Sequence, residues 1–246
     1  MKKVAEVTLV FWIMKICATT LGETAGDMLS MTFNIGYGLS SIILIGFFIA
    51  TLIAQLSVKK YIPVLYWLVI IATSTAGTTM SDFMDRTLGL GYATGASILA
   101  IMLVSMLFVW YKSEGSLSVT DIKNFRPEMF YWITILISNT LGTALGDYLA
   151  DDSGLGFSGG AFLIGSLILI TALLHFFSKI SNVILFWIAF VLTRPFGATF
   201  GDLLTKSTDK GGLDLGTIGS SAVLFGVLTL LIFYVSVKLH RERIVT

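Results

Sequence analysis

The sequence predicts an all-α membrane protein: eight transmembrane helices built as four parallel two-helix repeats, with a pseudo-twofold or pseudo-fourfold axis along the membrane normal. Three observations predict it. The first is composition. Of 246 residues, 55% are hydrophobic and 13% are charged, where an ordinary soluble domain carries about 25% charged residues. The second is the set of uncharged windows at 38–57, 61–81, 87–111, 129–146, 153–177 and 215–237. About 20 apolar residues cross a bilayer core as a helix. The third is an internal repeat.

Taken in order, the first helix falls within 4–29 and the seventh within 180–204, both with a few internal charges. The six uncharged windows supply the others. Continuous apolar runs, without two-residue alternation, argue for helices over barrel strands. The sizeable polar linker, 112–127, divides the chain into a first repeat pair at 1–115 (helices one to four), a cytoplasmic linker at 116–127, and a second pair at 128–246.

A shift of 120 lays "FWIMKICATTLGETAGD" (11–27) on "YWITILISNTLGTALGD" (131–147). The same shift lays "YWLVIIATSTAGTTMSD" (66–82) on "FWIAFVLTRPFGATFGD" (186–202). All four share one register. Trp12, Trp67, Trp132 and Trp187 each precede an aspartate by 15 residues: Asp27, Asp82, Asp147 and Asp202. Gly22, Gly77, Gly142 and Gly197 lie five before the aspartate; Gly26, Ser81, Gly146 and Gly201 lie just before it. Gly36, Gly91, Gly156 and Gly216 open the following helices. Small residues four apart let helix backbones approach in lipid, so Gly22, Gly26, Gly77, Gly142, Gly146, Gly197 and Gly201 are read as packing positions. Two crossings per unit make the repeats parallel.

Orientation follows from Lys and Arg. Lys2, Lys3, Lys59, Lys60, Lys112, Lys123, Arg126, Lys179, Lys238, Arg241 and Arg243 fall on one side; Arg86, Lys206 and Lys210 fall on the other. Both termini are therefore expected in the cytoplasm. The aspartates lie about 22 Å along the helix from the tryptophans, near the outer end of the hydrocarbon core.

On these residues the chain resembles a family of bacterial inner-membrane proteins built from four copies of a two-span repeat with a characteristic tryptophan, catalogued as a repeat of unknown function. The resemblance runs from about Phe11 to Val237. It implies the architecture and a bacterial inner-membrane location, with Trp12, Trp67, Trp132 and Trp187 as the family's tryptophan. It implies no activity. A weaker echo, "ETAGDM", approaches the E-x-G-D-[K/R]-[T/S] motif of manganese-type cation/proton antiporters. It has one extra residue and no basic residue after the aspartate, and that family relies on inverted halves.

The repeated aspartates are the candidate chemistry. Ionisable groups at membrane depth usually face a bundle interior and mark ion paths or proton relays. Glu23 lies one turn below Asp27, where the other repeats have Thr78, Thr143 and Ala198. A polar stripe of Thr24, Thr79 and Thr199, with Asn139 lower down, is expected to line the same face. Arg194 is a natural partner for Glu23 or an aspartate, in a gating or charge-balancing role or as a fixed ion pair. Lys15 either shares that role or snorkels to the cytoplasmic interface, the reading favoured here. Asp85, Asp151, Asp152, Asp209 and Asp214 read as outer-loop charges. The structural alternative for the four aspartates is helix capping.

Oxygen ligands at Glu23, Asp27, Asp82, Asp147 and Asp202 suit a hard divalent cation of the Mn²⁺ or Mg²⁺ class. The leading expectation is a transporter or channel for such a cation. A proton-coupled exporter of a small organic solute is the second, and a non-transport scaffold the third. No resident cofactor is expected. The partners are the lipid bilayer and a small cation or small solute, with a homo-oligomer left open. A net charge of +1 argues against nucleic acid. No nucleophile–base pair or phosphate loop points to an enzyme.

Overall fold

The computed structural model describes residues 3–120 and 122–245, with side chains through Glu242. Lys2 and the side chain of Arg243, both counted in the orientation above, lie outside the described residues. The chain forms eight α-helices: α1 (Leu9–Asp27), α2 (Tyr37–Ser57), α3 (Pro63–Asp82), α4 (Tyr92–Glu114), α5 (Phe125–Asp147), α6 (Gly156–Phe177), α7 (Asn182–Thr205) and α8 (Thr217–Val245). In the first three repeats the aspartate ends the α-helix, and one π-helical turn follows: Met28–Thr32, Phe83–Thr87 and Tyr148–Asp152. In the fourth, α7 runs on to Thr205.

Gly36, Gly91, Gly156 and Gly216 all have φ between 67° and 79°. At Gly36 ψ is 159°, and at Gly91 it is 154°. Only glycine adopts that backbone without strain. The turn from each inner helix to its outer partner therefore fixes a glycine at this repeat position.

The odd-numbered helices form an inner ring in the order α1, α3, α5, α7, closing back on α1. The glycines explain how closely they meet. A Cβ on Gly22 would lie 2.2 Å from Ser74 Oγ, and one on Gly142 would lie 2.2 Å from Arg194 Cγ. One on Gly77 would lie 3.0 Å from the Asn139 and Thr140 backbone, and one on Gly197 would lie 2.6 Å from Thr19 Oγ1. Each of these glycines thus faces the same position on the next helix around the ring. One turn on, Gly26 faces Thr78, Gly146 faces Ala198 and Gly201 faces Glu23.

Each outer helix packs on the inner helix of the following repeat: α2 on α3, α4 on α5, α6 on α7, and α8 on α1. Outer-helix faces carry exposed Ile42, Ile49, Ile101, Val104, Phe162, Leu169, Val223 and Leu230. Among the described residues, seven helices are long and apolar enough to cross a membrane, all but α1. The physical reason is local. Lys15, Glu23 and Asp27 lower the apolarity of α1, yet all three are buried against the other inner helices.

The tryptophan end is an aromatic seam. Phe11 meets Trp67 at 5.6 Å, Tyr66 meets Trp132 at 5.4 Å, and Phe186 meets Trp12 at 5.8 Å, each across neighbouring inner helices. Below it, Val4, Val119 and Ile122 join the same core, and Trp187 Nε1 donates to the Leu117 carbonyl. Leu117, Val119 and Ile122, between α4 and α5, are thus packed against the end of the ring.

Candidate functional site: a stack of charged layers inside the ring

Residues four apart on each inner helix follow the central axis, because four residues make just over one helical turn. The layers can be read upward from the seam. Phe11, Tyr66, Tyr131 and Phe186 come first, with the Tyr66 and Tyr131 hydroxyls 2.5 Å apart. Lys15, Ile70, Ile135 and Phe190 follow. Then come Thr19, Ser74, Asn139 and Arg194; then Glu23, Thr78, Thr143 and Ala198; then the four aspartates. Last are Met31, Arg86, Asp151 and Lys206.

Asp27, Asp82, Asp147, Asp202 and Glu23 are each only 3% exposed. A carboxylate so removed from water needs a partner. Arg86 supplies two contacts to this layer, Nε to Asp82 Oδ1 at 2.8 Å and Nη2 to Asp147 Oδ2 at 3.3 Å, and reaches Asp151 Oδ2 above it at 3.9 Å. Lys206 reaches Asp27 Oδ2 at 2.5 Å and Asp202 Oδ1 at 3.1 Å. Burial works against the Lys206 ammonium, but Asp202 and Asp27 outweigh it and hold its pKa above the ordinary lysine range. One base therefore serves each pair of aspartates. Glu23, Asp147 and Asp202 place oxygens within 4.8 Å of one another, close enough to share one cation.

Arg194 is fully buried and crosses the ring. Its Nη2 contacts Glu23 Oε2 at 2.9 Å, Thr78 Oγ1 at 2.5 Å and Thr143 Oγ1 at 2.5 Å. It thus touches all three other inner helices. Lys15 does not snorkel. It is fully buried, crosses from α1 to the opposite helix α5, and donates to Asn139 Oδ1 at 3.4 Å. Its ammonium lies 4.0 Å over the Phe190 ring. The apolar contact keeps it below the arginine layer and away from the interface.

A family model described as a Repeat of Unknown Function (DUF347) matches residues 10–61, 65–116, 130–181 and 185–238. The chain belongs to this family. Each DUF347 copy holds one inner and one outer helix, and each contributes one aspartate to the carboxylate layer. The chain has no significant match among curated proteins or among solved structures.

Three sequence expectations differ from the DUF347 geometry. Thr24 and Thr199 do not line the axis. Thr24 Oγ1 bonds Ser221 of α8 at 2.8 Å, and Thr199 lies against Gly160 of α6. They sit one residue, about 100°, beyond the axial positions. Thr79 bonds back to its own helix at Thr75 and Ala76, while Asn139 does stand in an axial layer. Asp85 is buried rather than a loop charge; it accepts from Ser81 Oγ at 3.3 Å and presses on Gly95. Asp27, Asp82 and Asp147 keep helical backbone angles and make no capping bond, so they do not cap the turns they precede.

Arg86 and Lys206 are partners of the carboxylate layer that sequence reasoning missed, having counted them only among the charges on the outer side. Their signal was available: each follows its repeat's aspartate by four residues, the spacing of a helical ion pair.

Proposed function

We propose that this chain is a membrane carrier that exchanges a small cation at its carboxylate layer, with a hard divalent ion of the Mn²⁺ or Mg²⁺ class as the best-fitting cargo. The observation that carries the reading is the convergence of Glu23, Asp147 and Asp202 within 4.8 Å in a buried layer that its bases do not neutralise. Five carboxylates face three bonded basic groups, Arg86, Lys206 and Arg194. With all ionised, two negative charges are left over, the charge one divalent ion would match. Oxygen-only ligands suit such ions. Arg86 and Lys206 act as tethered competitors, leaving the aspartates when the ion enters and returning when it goes.

A carrier fits better than an open channel. Arg194 and Lys15 lie across the axis, and a fixed buried cation repels cations in a pore. In this reading α1 crosses the bilayer with the other seven helices. Both termini are cytoplasmic, the compartment is the bacterial inner membrane, and the aspartates open outward.

One observation also favours a second reading. Two protons would remove the same excess charge, which supports a proton-coupled exporter of a small organic solute. The deciding experiment uses purified protein, first by thermal-shift titration with Mn²⁺, Mg²⁺, Ca²⁺ and Na⁺, then by flux in proteoliposomes. A ligand that binds only the folded form raises its stability. A selective shift and matching flux, both lost in Asp147→Asn and Asp202→Asn, is the expected result. Proton flux without any cation response would move the assignment to the second reading.

A further inference from the structure

The lower half of the axis has an unbalanced charge of the opposite sign. Arg194 Nη2 has two hydrogens and already faces three oxygens. Its Nε and Nη1, fully buried, have no hydrogen-bond partner among the described residues. An arginine cannot shed its charge, and those two nitrogens hold three N–H donors. Lys15 stands one layer below, with one long bond to Asn139 and one aromatic face. No carboxylate pairs with it among the described residues. From the Arg194 layer down toward the seam the layers contain no acid: Thr19, Ser74 and Asn139 beside Arg194, then Ile70, Ile135 and Phe190, then the Tyr66–Tyr131 seam. Among the described residues Glu23 is the single carboxylate bonded to these two cations, and it meets Arg194 from the aspartate side. Ser74 Oγ, in the arginine layer, is also buried and partnerless.

From this geometry we propose that the centre of the ring binds a small monovalent anion, a halide or a small carboxylate such as formate, between the Lys15 ammonium and the free edge of the Arg194 guanidinium. One negative charge balances the pair. Buried charges are tolerated when paired and hydrogen-bonded, and the free donors supply those bonds. A dianion would overshoot the balance, and the surrounding Ile70, Ile135 and Phe190 leave no role for a large one. The anion site and the carboxylate layer meet at Arg194, so an anion beneath it would hold the guanidinium in place while cations exchange above. The site itself does not depend on cation transport.

The test is equilibrium dialysis of the purified full chain in sodium gluconate, with radiolabelled chloride and, separately, radiolabelled formate. One saturable site per chain is expected, displaced by bromide and not by sulfate. The stronger of the two labels identifies halide or carboxylate as the preferred source. Lys15→Gln should weaken binding by at least about tenfold, or about 1.4 kcal/mol. Asp27→Asn should leave it unchanged, which separates this site from the cation reading. Absence of saturable binding of both labels to the wild-type chain overturns the proposal. Undiminished binding in Lys15→Gln overturns it equally. Should that variant not fold, anomalous scattering from bromide in wild-type crystals decides: a peak at Arg194 Nε and Nη1 supports the site, and a bromide-soaked crystal without one refutes it.

Discussion

Removing Glu23 isolates the energetics of the arginine layer. In Glu23→Leu the guanidinium of Arg194 stays fully buried, keeps its charge and loses its carboxylate at 2.9 Å. Breaking a buried pair from one side costs about 3–5 kcal/mol. For a chain of this size each kcal/mol lowers the unfolding midpoint by about 2–4 °C, so a fall of about 6–20 °C is expected. The reverse variant, Arg194→Met, should cost less, because a stranded carboxylate can take up a proton and a stranded guanidinium cannot lose one. The double variant Glu23→Leu/Arg194→Met should be more stable than Glu23→Leu alone, since it removes the unpaired charge. The assay is thermal unfolding of the four purified proteins in one detergent, read as a double-mutant cycle. If the double variant drops by the sum of the two single losses, the two residues are not coupled and the layer model is wrong.

Three further outcomes follow from contacts in the ring. Gly142→Ala would set a Cβ 2.2 Å from Arg194 Cγ and should destabilise by about 1–3 kcal/mol through overpacking; Gly46→Ala, with nothing within 4 Å, should be neutral or stabilising in the same melt. Lys206→Met removes the tethered competitor from Asp27 and Asp202 and should lower the apparent Kd for Mn²⁺ in thermal-shift titration by about tenfold or more; an unchanged or raised Kd counts against competition. Thr24→Val removes the bond to Ser221 and should cost about 1 kcal/mol while leaving the cation response intact. A lost response would put Thr24 back on the axis.

The repeat register, the inner placement of the aspartates and the glycine contacts were legible because one helical spacing recurs four times. A Trp-to-Asp interval of 15 and small residues four apart can be satisfied together only by helices meeting along one stripe. Glu23 and Arg194 were legible as deviations from that stripe. Lys15 was not, because a lysine 12 residues before a span's end reads the same whether it reaches the interface or crosses the bundle. What decides is an acceptor on a helix 124 positions away, Asn139. Arg86 and Lys206 were hidden by their place past the last apolar residue, where charge ordinarily means water. Thr24 and Thr199 illustrate the opposite error: a polar residue one step off the axial register meets the outer helices, and hydropathy does not tell the two directions apart.

The hand-over of each outer helix to the next repeat has a consequence for how the molecule is made. No repeat covers itself. Of the eight helices, α1 leaves the ribosome first and carries Lys15, Glu23 and Asp27, while Arg194, Lys206 and the covering helix α8 belong to the fourth repeat. Until then the acids of α1 are unmet and one of its flanks is bare. A chain cut after three repeats is therefore an open arc whose α1 end holds Glu23 and Asp27 without Arg194 and Lys206, while Asp147 at the other end keeps Arg86. The charges and the flank of α1 thus find their partners only when the circle closes.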